Sequence, residues 1–272
     1  MLAFTSFAMG TSASKSDTVV AGESAHSFTD DHRLNFQRLM VYAKSSDPSL
    51  QKEVAEYLAN EAVHAEKQEQ IVACGGLKLL VQLARSSDGE VQRLSAHALA
   101  NLSALAANQR AIAEADGGLT MLVHLLGASL PEVQRQAAKT IANLSVVPSN
   151  MRLIAASGGL PPLIALLNVP HPKTRIEAIA AIANLAVDDA NEAAFVKAGV
   201  IKSVLEGLSG ATDNDLLTQS LRALRNLTSS PAHAVSLRDL GGAALLESLA
   251  KHSNERVRAQ ADAALMNVRK VK

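Results

Sequence analysis

The sequence predicts an all-α protein: a right-handed α-solenoid of about six helical repeats, the first one truncated. Three observations carry this. An Asn followed by an apolar residue recurs at Asn101-Leu102, Asn143-Leu144, Asn184-Leu185, Asn226-Leu227 and Asn267-Val268. Asn60 extends the series, and the spacings alternate between 41 and 42 residues. A second marker runs in phase: Gly75-Gly76, Gly117-Gly118, Gly158-Gly159, Gly199 and Gly241-Gly242 each stand about 26 residues before the next Asn. Composition supplies the third observation. Hydrophobic residues make up 48% of the chain but aromatics only 3%, with no Trp. The core must therefore come from Leu, Ile, Val and Ala, which suit closely packed helices better than a β-sandwich.

Residues 1–31 are rich in Ser, Thr, Gly and Ala without sustained periodicity, and read as a disordered tail. Within it, Met9-Gly10-Thr11-Ser12-Ala13-Ser14 fits the N-myristoylation pattern. Eight residues precede it, so Gly10 becomes an acylation site only if translation starts at Met9. A cleaved transit peptide is the other reading, since residues 1–15 hold no acid and a single base, Lys15.

The repeats follow at about 32–65, 66–107, 108–148, 149–189, 190–230 and 231–272. The first lacks a first helix and a Gly pair, and reads as an N-terminal cap built from RLNFQRLMVYAK and SLQKEVAEYLANEA. Each later unit reads as three helices, clearest in repeat 4. There Asn150 is a candidate N-cap for the first helix, and Gly158-Gly159 ends it. Pro161-Pro162 open the second helix, whose Leu160, Leu163, Ile164 and Leu167 form one apolar face. Pro172 starts the third, which buries Ile179, Ile182 and Leu185. Asp47-Pro48 and Ser129 with Pro131 suggest the same cap-then-proline start in repeats 1 and 3. Arg256, Arg258, Asp262 and Arg269 give the last helix a polar outer surface.

The pattern G-G-L-x-x-L, followed by EVQRLSAHALANLS, EVQRQAAKTIANLS and, more loosely, TRIEAIAAIANLA, resembles the armadillo repeat over residues 35–272. Within that family the type resembled is the small armadillo-repeats-only, vacuolar-tether-like protein. The resemblance implies that the third helices line a concave groove. It also implies that the Asn near the end of each third helix binds the main chain of an extended peptide, because a carboxamide both donates and accepts hydrogen bonds. Residues four and seven positions earlier share its face. The groove then presents Glu53, Glu56 and Asn60; Leu94, His97 and Asn101; Gln136, Lys139 and Asn143; Glu177, Ala180 and Asn184; Gln219, Arg222 and Asn226; and Gln260, Ala263 and Asn267. Arg93 and Arg135 lie on its edge. Asn in this position is also able to fix the packing between repeats, so both roles stand open.

The importin-α family places a Trp four residues before this Asn. Here those positions hold Glu, His, Lys, Ala, Arg and Ala, which argues against a nuclear-import receptor. Arg93, His97, Arg135 and Lys139 suggest a modest basic patch over repeats 2 and 3, and with it an extended, partly acidic peptide held across repeats 2 to 5.

Formal net charge is +0, which gives no bulk attraction to nucleic acid or an anionic membrane. The single cysteine, Cys74, excludes an intrachain disulfide and fits a reducing compartment. It reads as a small buried apolar residue. No apolar run approaches the roughly 20 residues of a membrane span. No catalytic or metal-ligating set emerges, no cofactor is expected, and the scattered histidines read as surface or cap residues. The expected function is a cytoplasmic, monomeric, non-enzymatic adaptor that binds other proteins, with the nucleus or a membrane surface as other locations. Two alternatives are a substrate-recognition subunit of a ubiquitin ligase or motor, and a lipid-anchored membrane tether.

Overall fold

The computed structural model describes residues 30–271 of the chain. Residues 1–29, Gly10 and its motif included, lie outside the described residues, and Asp30 and Asp31, read as the end of the tail, instead begin the first helix. Among the described residues the protein is helical throughout, without a strand. Repeat 1 holds α1 (Asp30–Ala43) and α2 (Pro48–Glu61). Repeat 2 holds α3 (Ala65–Ala73), α4 (Gly76–Leu83) and α5 (Gly89–Leu102). Repeat 3 holds α6 (Ala106–Glu114), α7 (Gly118–Leu126) and α8 (Pro131–Leu144). Repeat 4 holds α9 (Pro148–Ala156), α10 (Leu160–Ala165) with a 3-10 turn at Leu166–Asn168, and α11 (Pro172–Leu185). In repeat 5 a 3-10 turn at Asp189–Asn191 leads into α12 (Glu192–Lys197), followed by α13 (Val200–Leu208) and α14 (Asn214–Leu227). Repeat 6 holds α15 (Pro231–Asp239), α16 (Gly242–Leu249) and α17 (Glu255–Arg269).

Packing is one-dimensional. The third helices stack in chain order, α2 on α5, α5 on α8, α8 on α11, α11 on α14 and α14 on α17, and these are the most extensive contacts in the molecule. Each second helix packs on the third helix of its own repeat. Small side chains make the close approach possible. Ala98, Ala137, Ala138, Ala181 and Ala223 are fully buried along the stack. Leucines from the second helices, such as Leu80, Leu122 and Leu163, close the core behind them. Each fully buried aliphatic side chain contributes ~1.5–3 kcal/mol. No repeat could bury that face alone, so the stack folds as a chain of neighbours.

The third helices start at well-formed caps. The Asp88 carboxylate accepts from the N–H of Glu90 (2.8 Å) and Val91 (3.1 Å), and Asp213 does the same for α14. Asp47 caps α2, and the His171 ring caps α11 by accepting from Thr174 N–H. Repeat 3 departs from the expected start. Leu130, not Ser129, holds the cap position of α8 and offers no side-chain acceptor, leaving Pro131 to set the first turn.

The Gly pairs have two separate causes, seen at Gly75-Gly76. Gly75 sits at φ +85, in the left-handed region, with open space where a Cβ would stand. Gly76 has no room: its Cβ would lie 2.7 Å from the Ile71 carbonyl oxygen.

A second polar ladder runs behind the first, and it corrects the reading of Asn150. Asn150 lies inside α9 and is fully buried; the cap position belongs to Val147. Its Nδ2 donates to the Leu144 carbonyl, six residues back, at 3.1 Å. Asn108 donates likewise to Leu102, and Asn191 to Leu185. Gln68 does the same for Ala62 in repeat 2. These side chains tie each first helix to the end of the preceding third helix. In the last repeat the register brings His233 to this place. It is 3% exposed, not the surface residue expected, and neither ring nitrogen finds a partner. Cys74 is likewise half-buried against the core rather than enclosed in it.

Gly75→Ala should lose ~1–2 kcal/mol for placing a Cβ in the left-handed region. Gly76→Ala should lose ~2–3 kcal/mol for overpacking against a carbonyl that cannot move aside. Urea unfolding of the two variants gives the ranking. Burial pushes the His233 pKa below its ordinary 6.5, against the pull of Glu192. The unfolded chain therefore takes up the proton first, so stability is intact above pH 6.5 and falls as pH drops below it. His233→Asn should restore the missing hydrogen bond to the Leu227 carbonyl and add about 1 kcal/mol. It should also flatten the stability profile between about pH 7 and about pH 5, read by urea unfolding at both ends.

Candidate functional site

The Asn of each third helix sits near the helix end, where the next third helix comes closest. From repeat 4 onward its Nδ2 reaches back to the carbonyl just before the Asn of the previous repeat. Asn184 donates to Ala142 O (3.1 Å), Asn226 to Ala183 O (2.7 Å) and Asn267 to Arg225 O (3.0 Å). Asn143 makes the same connection through a relay: its Nδ2 donates to Ser103 Oγ at 3.0 Å, and that hydroxyl donates to Ala100 O. The ladder therefore holds repeat to repeat. It uses only part of each carboxamide. The Oδ1 atoms of Asn143 and Asn184 accept nothing from the protein and keep solvent access; Asn143 Nδ2 has a second hydrogen, whereas Asn184 Nδ2 also donates to Ser145 Oγ at 3.2 Å. Asn101 makes no inter-repeat bond at all and stands half-buried with its whole carboxamide open. In repeat 5 the Asn226 Oδ1 accepts from Arg225 Nε and Nη2 at 3.3 and 3.2 Å.

The positions predicted to share this face do so, with two qualifications. Leu94 and Gln136 are buried, so they form its floor. His97, Lys139, Gln219 and Arg222 are half-buried and line it. Gln136, Gln219 and Gln260, the residues seven before the Asn in repeats 3, 5 and 6, each leave Oε1 buried without a donor.

The two arginines of the basic patch expected over repeats 2 and 3 are held in ion pairs. Arg93 grips Glu90 through two bonds of 2.8 and 2.7 Å. Arg135 grips Glu132 at 2.9 and 2.5 Å, and Gln136 adds a third donor to that carboxylate. The cause is helical: Glu and Arg three residues apart lie on one surface. Arg135, then Gln136, hold the Glu132 pKa down to about 2. Burial, reinforced by Arg93 and Lys139, keeps His97 below its ordinary value. Burial raises Glu177, against the opposing pull of Lys139 and Arg135. The partnered carboxylates were legible in the sequence as E-x-x-R, read there only for their arginines.

Lys139 in repeat 3 and Arg222 in repeat 5 form no ion pair among the described residues. Arg222 donates from Nη2 to Ala180 O (3.3 Å) and leaves Nε buried with no partner. The one charge close enough to act on it is the like charge of Arg225. Among the described residues no group of three or more His, Cys, Asp and Glu stands close enough to hold a metal ion.

Residues 33–230 match the Armadillo-like family model. No curated protein matches the chain in sequence. An engineered protein of known structure is 33% identical and superimposes with a TM-score of 0.78, over 87% of this chain and 97% of its own. A structure of computationally designed armadillo repeat proteins for modular peptide recognition is 26% identical, with a TM-score of 0.79 over 85% and 98% of the two chains. A designed armadillo repeat protein in complex with the peptide (KR)4 is also 26% identical, with a TM-score of 0.76 over 86% and 98%.

Arg135→Gln should release Glu132 from about 2 toward the ordinary 4.5. A carboxylate depressed in this way adds stability above pH 4.5 and loses it between 4.5 and about 2. Carbon-detected NMR titration of the Glu132 carboxyl reads the shift. An unchanged midpoint would mean the pair does not form in solution.

Proposed function

The chain belongs to the Armadillo-like family, and from that premise we propose that it is a non-enzymatic scaffold that holds an extended segment of a partner protein along its third-helix groove. One observation carries the reading. The carboxamides of Asn101, Asn143 and Asn184 stand in register along one face, each with hydrogen-bonding capacity the protein leaves unused. An extended chain exposes an N–H and a C=O at regular intervals, so a ladder of this kind binds main chain whatever the side chains. The half-buried His97, Lys139, Gln219 and Arg222 then select among sequences. A monomeric adaptor in the cytoplasm is the form this reading takes.

The designed relative in complex with (KR)4 supports peptide binding on this fold. The ligand here differs in charge. Arg93, Arg135, Lys139 and Arg222 line or edge this groove, and no Trp stands beside its Asn ladder. An alternating Lys-Arg peptide would meet uncompensated like charge at Lys139 and Arg222, the two of these that form no ion pair among the described residues.

The experiment is selection of peptides from a random extended-peptide library, followed by affinity measurement with the variants. Asn101 is the informative position because it makes no bond between repeats. Asn101→Ala should weaken selected peptides ~3- to 10-fold, the loss of one or two hydrogen bonds, with the melting temperature unchanged. Asn184→Ala should lower both affinity and stability. A library that yields no binder, or binders indifferent to Asn101 and Asn184, would overturn the reading, and (KR)4 should bind more weakly than any selected peptide.

A further inference from the structure

We propose that repeat 5 carries an anion subsite, in which the Arg222 guanidinium receives an Asp or Glu carboxylate of the bound segment. This rests on the groove reading above and specifies its partner chemistry. Arg222 is half-buried on the third-helix face, four residues before Asn226, so a chain lying along the Asn ladder passes over it. Its neighbours at the matching place are Ala180 in repeat 4 and Ala263 in repeat 6, which raise no side chain beside it. The guanidinium therefore lies on an open shelf between two alanines.

The unmet bonding of Arg222 points to the ligand. Of its donors, Nη2 alone is engaged, to the Ala180 carbonyl, while Nε is buried with nothing to bond and Nη1 donates to no protein atom. An arginine this far from water normally has a carboxylate against it. Arg93 and Arg135 show that arrangement two and three repeats away, each gripping a Glu on its own helix. Arg222 has no such Glu: the residue three before it is Gln219, whose own Oε1 is buried and unbonded. The adjacent charge is Arg225, which adds positive potential and is itself held by Asn226 rather than by an acid. Nη1, which bonds to no protein atom and is not buried as Nε is, is the end of the guanidinium left to meet a carboxylate oxygen. The groove thus pairs its arginines at repeats 2 and 3 and leaves Arg222 uncompensated at repeat 5.

The test uses two fluorescein-labelled decapeptides of alternating Thr and Ser, one with a central Glu and its twin with Gln, measured by fluorescence anisotropy. Wild type should prefer the Glu peptide by about 5-fold at low salt, and the preference should vanish near 1 M NaCl. Arg222→Gln should erase the preference, so that the Glu peptide and its Gln twin bind alike. Arg222→Lys, which keeps charge but not the planar fork, should retain part of it. Arg93→Gln and Arg135→Gln should leave it intact. Equal binding of both peptides to wild type, or a preference that survives Arg222→Gln and disappears with Arg135→Gln, would overturn the subsite and leave the groove standing. Failure of wild type to bind either peptide would overturn both.

Discussion

Everything in this molecule depends on how closely one third helix approaches the next. The alanines buried along α5, α8, α11 and α14 bring the helices together, and the approach decides what their polar groups can reach. At that spacing an Asn side chain touches the carbonyl one repeat back, as Asn184 touches Ala142 and Asn226 touches Ala183. A larger residue in place of Ala138 or Ala181 would push the helices apart and break this contact along with the core. The same spacing sets the distance between successive carboxamides, and so the interval at which an extended ligand meets them.

The Asn ladder joins stability to recognition. A carboxamide has two donors and an acceptor, and in Asn143 and Asn184 the stack uses donors and leaves the acceptor free. What is left faces outward on a helix already fixed in place. That is preorganisation: the groove groups need no ordering when a ligand arrives. The second ladder, Asn108, Asn150 and Asn191, has no such double use. It is buried, it ties first helices to third helices, and it is interrupted where His233 takes the Asn position.

Charge on the groove is arranged by helical spacing as much as by residue type. Arg93 and Arg135 count as cations in the sequence but form closed pairs with Glu90 and Glu132, so they repel and attract little. Arg222 counts the same and has no acid within reach. A tally of lysines and arginines along the face gives repeats 2 and 3 as its basic centre. Pairing takes the two arginines out of that centre and leaves Lys139 and Arg222 as the unpaired cations of the face.

Much of this was legible in the sequence because a repeat states its own period. The 41- and 42-residue spacing of Asn and Gly located the helices, the turns and the face that the third helices share, since i, i−4 and i−7 fall on one side of any helix. The Gly pairs marked true helix ends, although the reason the second glycine must lack a Cβ appears only with Ile71 packed beside it. Asn150 was misread as a cap because a local cap and a buried Asn look alike in one dimension. Its recurrence with Asn108 and Asn191 was available and would have shown a second ladder. Which donors and acceptors are spent could not be read at all. That depends on the carbonyl of Ala142 lying beside Asn184 and on nothing acidic lying near Arg222. Such contacts join residues about 42 positions apart, or are absent across the same gap, and only the packed stack brings them within bonding distance.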